Sequence, residues 1–342
     1  MFISFGRGGS AFQRASYRMF WSGMGIVMIG IVLTCQDAYK CGKWGVRSFF
    51  SGGSGSSGSH QGIGANGPDF SFKAVVACQP KDRSDAIYAK LDKSSPTGED
   101  NFFMTMNRGH ELYAGVADGV GGWAEHGYDS SAISRELCGT MRELAQHKSF
   151  DPQTLLDAAF SHVKQAGIVK VGGTTALVAK LSRDGKLSVA NLGDSWCGVF
   201  RNAKLVFQTR YQTVGFNAPY QLAIIPDHMV KEAARKGGSY IQNKPTDADE
   251  YNFQLQHEDI VVLATDGVTD NIATGDMELF LKDHTRTSNL QTVCDEIVAQ
   301  VAKLSKDPQF PSVFSQELSK LTGKRYLGGK EDDITMVVIK VK

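Results

Sequence analysis

The sequence predicts an α+β protein in which antiparallel sheets are covered by helices, within one domain of about 270 residues that starts near Phe70. Three observations carry this. Short runs of β-formers recur a few residues apart with turn signals between them. Other segments repeat apolar residues at helical spacing. A serine-glycine stretch divides all of this from an N-terminal region of different composition.

In chain order, residues 1–50 form a basic leader, with Arg7, Arg14, Arg18, Lys40, Lys43 and Arg47 against the single acid Asp37. Within it, residues 19–36 (MFWSGMGIVMIGIVLTCQ) hold eighteen uncharged positions between basic clusters, the lower end of what a bilayer core needs. The arginines and serines before that run also fit a transit peptide. A targeting leader followed by one span places the protein in mitochondria, in the matrix or at the inner membrane. The span alone would give a nuclear-envelope or endoplasmic reticulum anchor. Residues 51–69 are a linker opening on SGGSGSSGSH, which cannot pack a core and, as a flexible coil, spans roughly 25 Å.

The segment 70–342 is the folded domain. Strands are predicted at 72–78, 111–118, 174–181, 186–194, 197–201, 204–209, 259–266 and 334–341, with hairpin turns at Arg183-Asp184-Gly185 and Arg201-Asn202-Ala203. Helices follow from Ile133, Leu137, Met141 and Leu144 on one face of 130–144, and from Leu290, Val293, Ile297, Val301 and Leu304. A third runs from Pro226 to Gly237.

Charge excludes one class of partner. The net +1 is the sum of a basic leader and a body with 31 basic and 35 acidic residues, about −4, which is no electrostatic platform for nucleic acid. Six scattered cysteines without CxxC spacing read as reduced thiols rather than a disulfide framework or a zinc site. No pattern specifies an oligomeric state.

The chemistry concentrates in acids at strand ends beside small residues: Glu99 and Asp100 in PTGEDN, Asp118 in VADGVGG, Asp194 in NLGDSW, Asp266 in LATDGVTD, Asp332 and Asp333 in KEDDIT. Each alone reads as a turn or a cap, and Asp266-Gly267 in particular has the form of a hairpin dipeptide. Together they offer converging hard oxygen ligands, which suit Mg²⁺ or Mn²⁺. The lack of histidine at ligand spacing disfavours zinc, copper and iron. Two such ions need a bridging carboxylate, and Asp118 with glycine after it suits that place best, which points to metal-assisted phosphoester hydrolysis. The chain has no GxxxxGK[ST] loop for a nucleotide.

GED at 98–100, VADGVGGW at 116–123, GGTTA at 172–176, NLGDSW at 191–196, ATDGVTDN at 264–271 and EDDIT at 331–335 occur in the order found in the type 2C, metal-dependent protein serine/threonine phosphatases, and the chain resembles that family across nearly the whole domain. GWAEHGYDSSAISREL and VGFNAPYQL are similar to its mitochondrial branch. The resemblance implies a four-layer αββα β-sandwich of two antiparallel sheets flanked by helices, with two Mn²⁺ or Mg²⁺ at one end. By the same motifs Asp118 would bridge the metals, Asp266 and Asp332 would complete the first site, and Glu99, through water, with the Gly119 carbonyl would serve the second. Asp100 would hold a metal's water, Asp194 would stand at a weaker third ion, and Asp333 would orient Asp332. The substrates would be phosphoproteins.

Two positions depart from the family pattern. Val120 stands where many relatives have a histidine acid, and Ser95 stands where many have a phosphate-gripping arginine. The leaving group's proton would then come from a metal-bound water or from His126, and substrate phosphate would be held by the metals alone or by another cation such as Arg83 or Lys81. The departures leave three readings: an active phosphatase, a pseudophosphatase that binds or scaffolds, or a hydrolase of small phosphate esters. The apolar stretch TVGFNAPYQLAIIP reads either as a substrate-facing flap or as a loop packed on the core.

Overall fold

The computed structural model describes residues 3–4, 69–83, 95–284 and 289–342. The leader segment 19–36 and nearly all of the linker lie outside them. Among the described residues no helix is long and apolar enough to cross a membrane, and Ile3–Ser4 pairs with Gly238–Ser239 as a two-residue antiparallel ladder.

Strands β1 (Phe72–Gln79), β2 (Asp100–Met106) and β3 (Leu112–Asp118) precede helices α1 (Ser131–His147) and α2 (Pro152–Ala166). Strands β4 (Gly172–Thr174), β5 (Ala176–Leu181), β6 (Lys186–Leu192), β7 (Trp196–Arg201) and β8 (Lys204–Gln208) follow, then the small hairpin β9 (Thr213–Gly215) and β10 (Ala218–Pro219). Next come β11 (Leu222–Ile224), α3 (Asp227–Arg235), β12 (Asp249–Gln254) and β13 (Ile260–Ala264). A helical turn α4 (Asp266–Thr269), helices α5 (Thr274–His284), α6 (Leu290–Ser305) and α7 (Val313–Thr322), and strand β14 (Ile334–Val341) close the chain.

Two five-stranded antiparallel sheets result, in the orders β12-β6-β5-β3-β2 and β1-β14-β13-β7-β8. Period-2 alternation explains how they stack. Leu112, Ala114 and Val116 of β3 meet Val261 and Leu263 of β13 and Val337 and Ile339 of β14 in the layer between the sheets. The alternate residues Tyr113 and Ala117 face Ile133, Leu137 and Met141 of α1, while Val262, Ala264 and Val338 face Val293, Ile297 and Val301 of α6. The four αββα layers expected from the resemblance are therefore present.

Both predicted hairpins form. β7 turns into β8 through Asn202 and Ala203 at φ 52° and 57°, and the β5–β6 turn places Gly185 at φ 80°. Strand 186–194 stops at Leu192, because the next three residues carry the chain from one sheet to the other. Strand 259–266 stops at Ala264, and Asp266-Gly267 opens a helical turn rather than a hairpin. Besides the short strands β4, β9, β10 and β11, the sequence reading lacks β2, β12, α2, α5 and α7. β12 is an edge strand whose residues alternate between exposed and half-buried, and α7 buries only Ser315 among its ten residues. Among the described residues, Cys78, Cys138, Cys197 and Cys294 form no disulfide.

Candidate metal centre

The antiparallel registers bring the predicted acids to one end of the sandwich. Asp100 opens β2 directly opposite Asp118, which closes β3. In the other sheet Ala264, at the end of β13, lies between Trp196, which opens β7, and Met336, near the start of β14. Asp266, Asp194 and the Asp332-Asp333 pair extend from those three places to the same end.

Short polar contacts fix the backbone here. The Asp118 N–H donates to Thr175 Oγ1 at 3.0 Å, and the Thr174 hydroxyl and the Thr175 N–H each donate to the Asp118 carbonyl at 2.9 Å, which is the structural use of the GGTTA motif. Thr265 Oγ1 donates to Asp100 Oδ2 at 2.8 Å and joins the sheets. Glycines mark where backbones crowd: a Cβ on Gly119 would lie 2.3 Å from the Ser130 carbonyl oxygen, and one on Gly267 would lie 1.9 Å from that of Asp333.

Asp333 does more than neighbour Asp332. Buried to 2% exposure, its carboxylate accepts from Arg83 Nη1 at 2.7 Å, also from Arg83 Nη2, and from the N–H groups of Lys81 at 2.9 Å and Glu99 at 2.8 Å. Arg83 Nη2 also donates to Glu99 Oε2 at 2.8 Å, and Ser130 Oγ to Glu99 Oε1 at 2.5 Å. Lys81 Nζ lies 3.5 Å from Asp332. Both cations named from the sequence thus stand at the site. His126 is exposed, its ring centroid 6.4 Å from that of Trp123.

The chain adds two residues that the sequence reading did not single out. Lys330 Nζ donates to Asp266 Oδ2 and Asp270 Oδ2, both at 2.5 Å, and lies 3.3 Å from Asp332 Oδ2. Asp270 is one helical turn after Asp266, a spacing that signals only once α4 is known to be helical.

Burial, reinforced by carboxylate neighbours, dominates the electrostatics. Burial raises the pKa of Asp118 well above the usual carboxylate range, and Asp266, Asp100, Asp332 and Asp194 raise it further. Asp100 and Asp194 are raised well above that range, each first by burial and then by carboxylate neighbours, and each keeps a buried Oδ1 with no hydrogen-bond partner. Burial also raises Asp332 and pushes Asp270 to about 6 against the pull of Lys330. In Asp266 the Lys330 ammonium overcomes burial and lowers the pKa.

Such a set is stable as anions only beside cations. Its all-oxygen donors and its two orphaned carboxylate oxygens fit a hard divalent ion, Mg²⁺ or Mn²⁺. Asp266, Asp270 and Asp332 turn toward Lys330, and among the described residues no three acidic, histidine or cysteine side chains draw together as a ready metal cage.

The class this arrangement defines is that of the metal-dependent phosphoprotein phosphatases, and comparison with known proteins agrees. The family profile "Stage II sporulation protein E (SpoIIE)" matches residues 108–342. The chain is 60% identical over 316 residues to "Protein phosphatase 2C homolog 7, mitochondrial" of Saccharomyces cerevisiae, covering 89% of this chain and 90% of the yeast protein. It is 33% identical over 254 residues to the human "Protein phosphatase PTC7 homolog", covering 72% of this chain and 81% of that one. Among solved structures, that of the photosystem II phosphatase PBCP superposes with a TM-score of 0.64 at 26% identity, over 80% of this chain and 99% of the other. The chain belongs to the type 2C protein phosphatase family.

Proposed function

We propose that the chain is a metal-dependent protein serine/threonine phosphatase that hydrolyses phosphoserine and phosphothreonine at the carboxylate end of the sandwich. The convergence of Asp118, Asp266 and Asp332, with unpartnered oxygens on Asp100 and Asp194 beside them, carries this reading. Asp118 would bridge two Mn²⁺ or Mg²⁺, Asp266 and Asp332 would complete one site, and Glu99 and the Gly119 carbonyl would serve the other. Asp194, near Asp266 and Asp270, stands where a weaker third ion would bind. When bound, the two cations supply Lewis-acid polarisation of the phosphoryl oxygens and acidify the attacking water.

The protein's own groups position the rest. Asp100, held by Thr265, faces the cluster with a free oxygen that can accept a proton from water. Asp333 locks Arg83 and the Glu99 loop, and Arg83 and Lys81 are the cations beside the cluster that would hold substrate phosphate together with the metals. Val120 offers no proton, so the leaving oxygen would take its proton from a water at the metals or from His126.

Phosphate release from a phosphothreonine peptide, set beside release from small phosphate esters, tests the assignment. The expected result is cation-dependent release with a higher kcat/KM on the peptide. Peptide binding without release would favour the scaffold reading, and a preference for small esters the metabolite hydrolase.

The division into leader 1–50, linker 51–69 and catalytic domain 70–342 is part of the same proposal. The name of the yeast relative supports a mitochondrial location, with residues 19–36 as targeting element or anchor. Deleting residues 1–50 should leave kcat/KM on the phosphopeptide within about twofold, as expected of a change far from the site. A folded but inactive truncation would place the leader in the site.

A further inference from the structure

Lys330 is unusual for a lysine, because its ammonium is turned into the cluster rather than out to water, with 15% side-chain exposure. The surroundings are built to keep it there. Asn271, buried to 1% exposure, accepts from the Lys330 N–H at 2.9 Å, donates to the Lys330 carbonyl at 2.9 Å and donates to the Gly267 carbonyl at 2.8 Å. The Lys330 backbone is thereby pinned to the turn that carries Asp266 and Asp270. On the other side Phe314 lies under the ammonium, 5.5 Å from Nζ to ring centroid. Phe216, at the tip of the β9–β10 hairpin, rests on Phe314 with centroids 5.0 Å apart.

An ammonium among Asp266, Asp270 and Asp332 neutralises two carboxylates that the proposed metal centre needs, Asp266 and Asp332, and Asp270 beside them. We infer that Lys330 is a built-in counter-ion that competes with divalent cations for Asp266, Asp270 and Asp332, and so sets the cation concentration at which the centre loads. It is a positioning residue, acting through the carboxylates, and the inference rests on the metal-centre reading above. Its chemistry is simple exchange: a divalent ion takes the carboxylate oxygens, and Nζ gives up its hydrogen bonds without losing a proton.

The test uses the full chain. Calorimetric titration of the EDTA-treated, dialysed protein with Mn²⁺ should show Lys330→Met and Lys330→Gln binding about tenfold more tightly than wild type, one decade of competition removed. Lys330→Arg, which keeps the charge, should stay within about threefold of wild type. The metal-free Met and Gln variants should also melt below wild type, with Mn²⁺ closing the gap.

A second measurement needs no uncharged variant. In protein labelled with ¹⁵N-lysine, a protected side-chain ammonium resonance should appear in EDTA, be missing from Lys330→Arg, and disappear or shift as Mg²⁺ is added. Equal or weaker Mn²⁺ binding by the uncharged variants, or an ammonium resonance unmoved by saturating Mg²⁺, overturns the inference while leaving the metal centre intact. If wild type itself binds no Mn²⁺, the metal-centre reading fails and the inference with it.

Discussion

Asp118→Asn should reduce kcat/KM for a phosphothreonine peptide by on the order of 10³-fold or more, while the protein still unfolds in one transition. Asparagine keeps the shape and the backbone contacts to Thr174 and Thr175, but cannot bridge two cations as an anion. Asp118 is also the acid repelled by four other carboxylates. Its neutralisation should therefore leave the thermal midpoint of the metal-free protein unchanged or higher. Peptide kinetics and a melting curve in EDTA read the two effects separately. A variant that retained most activity with saturating Mn²⁺ would remove Asp118 from the bridging position.

The largest effect on stability is expected from Gly267→Ala. Gly267 has no left-handed φ, so alanine is not excluded by conformation. Its added methyl would instead sit 1.9 Å from the Asp333 carbonyl oxygen and 2.9 Å from the carbonyl carbon, both backbone atoms of the segment entering β14. Backbone cannot yield as a side chain does, and forced overpacking of this kind costs about 3 kcal/mol. For a domain of this size that is a fall of roughly 6–12 °C in Tm. Because Asp333 holds Arg83 and the Glu99 loop, activity should fall as well. Gly122→Ala makes the control, since nothing lies within 4 Å of a Cβ there. Equal melting of the two variants would show that the crowding at Gly267 is relieved at no cost.

How much of this was legible in the sequence follows from what each residue depends on. Asp118 ends a run of apolar β-formers, and its position at the end of β3 is local information. Its meeting with Asp266 and Asp332 depends on strand order, which the antiparallel pattern constrains but no local motif states. The Asp266-Gly267 pair shows the limit of local reading. As a dipeptide it reads as a hairpin turn, yet the glycine is needed for the approach of Asp333, 66 positions on, and the aspartate begins a helical turn.

Asp270 and Lys330 were missed for the same reason. Their contact joins segments 60 positions apart, and a lysine between a glycine pair and three acids carries no signal that it points inward. Arg83 and Lys81 could be named as the nearby cations, but only the pairing with Asp333, Glu99 and Asp332 shows where they stand. Helix α1 is legible from its stripe of Ile133, Leu137 and Met141, because a buried face imposes a period. Helix α7 and strand β12 bury little, whereas α2 carries a buried face of Leu155, Leu156, Ala159, Phe160 and Val163 that the same period marks.

The most direct test of the central claim is to strip the full-length protein with EDTA, add Mn²⁺ back in steps, and measure bound metal and phosphate release from a phosphothreonine peptide in the same samples. No release in EDTA, with activity rising as the second of two tight Mn²⁺ ions per chain binds, is the predicted result. Release that persists in EDTA, or Mn²⁺ binding that saturates with no change in release, would contradict it.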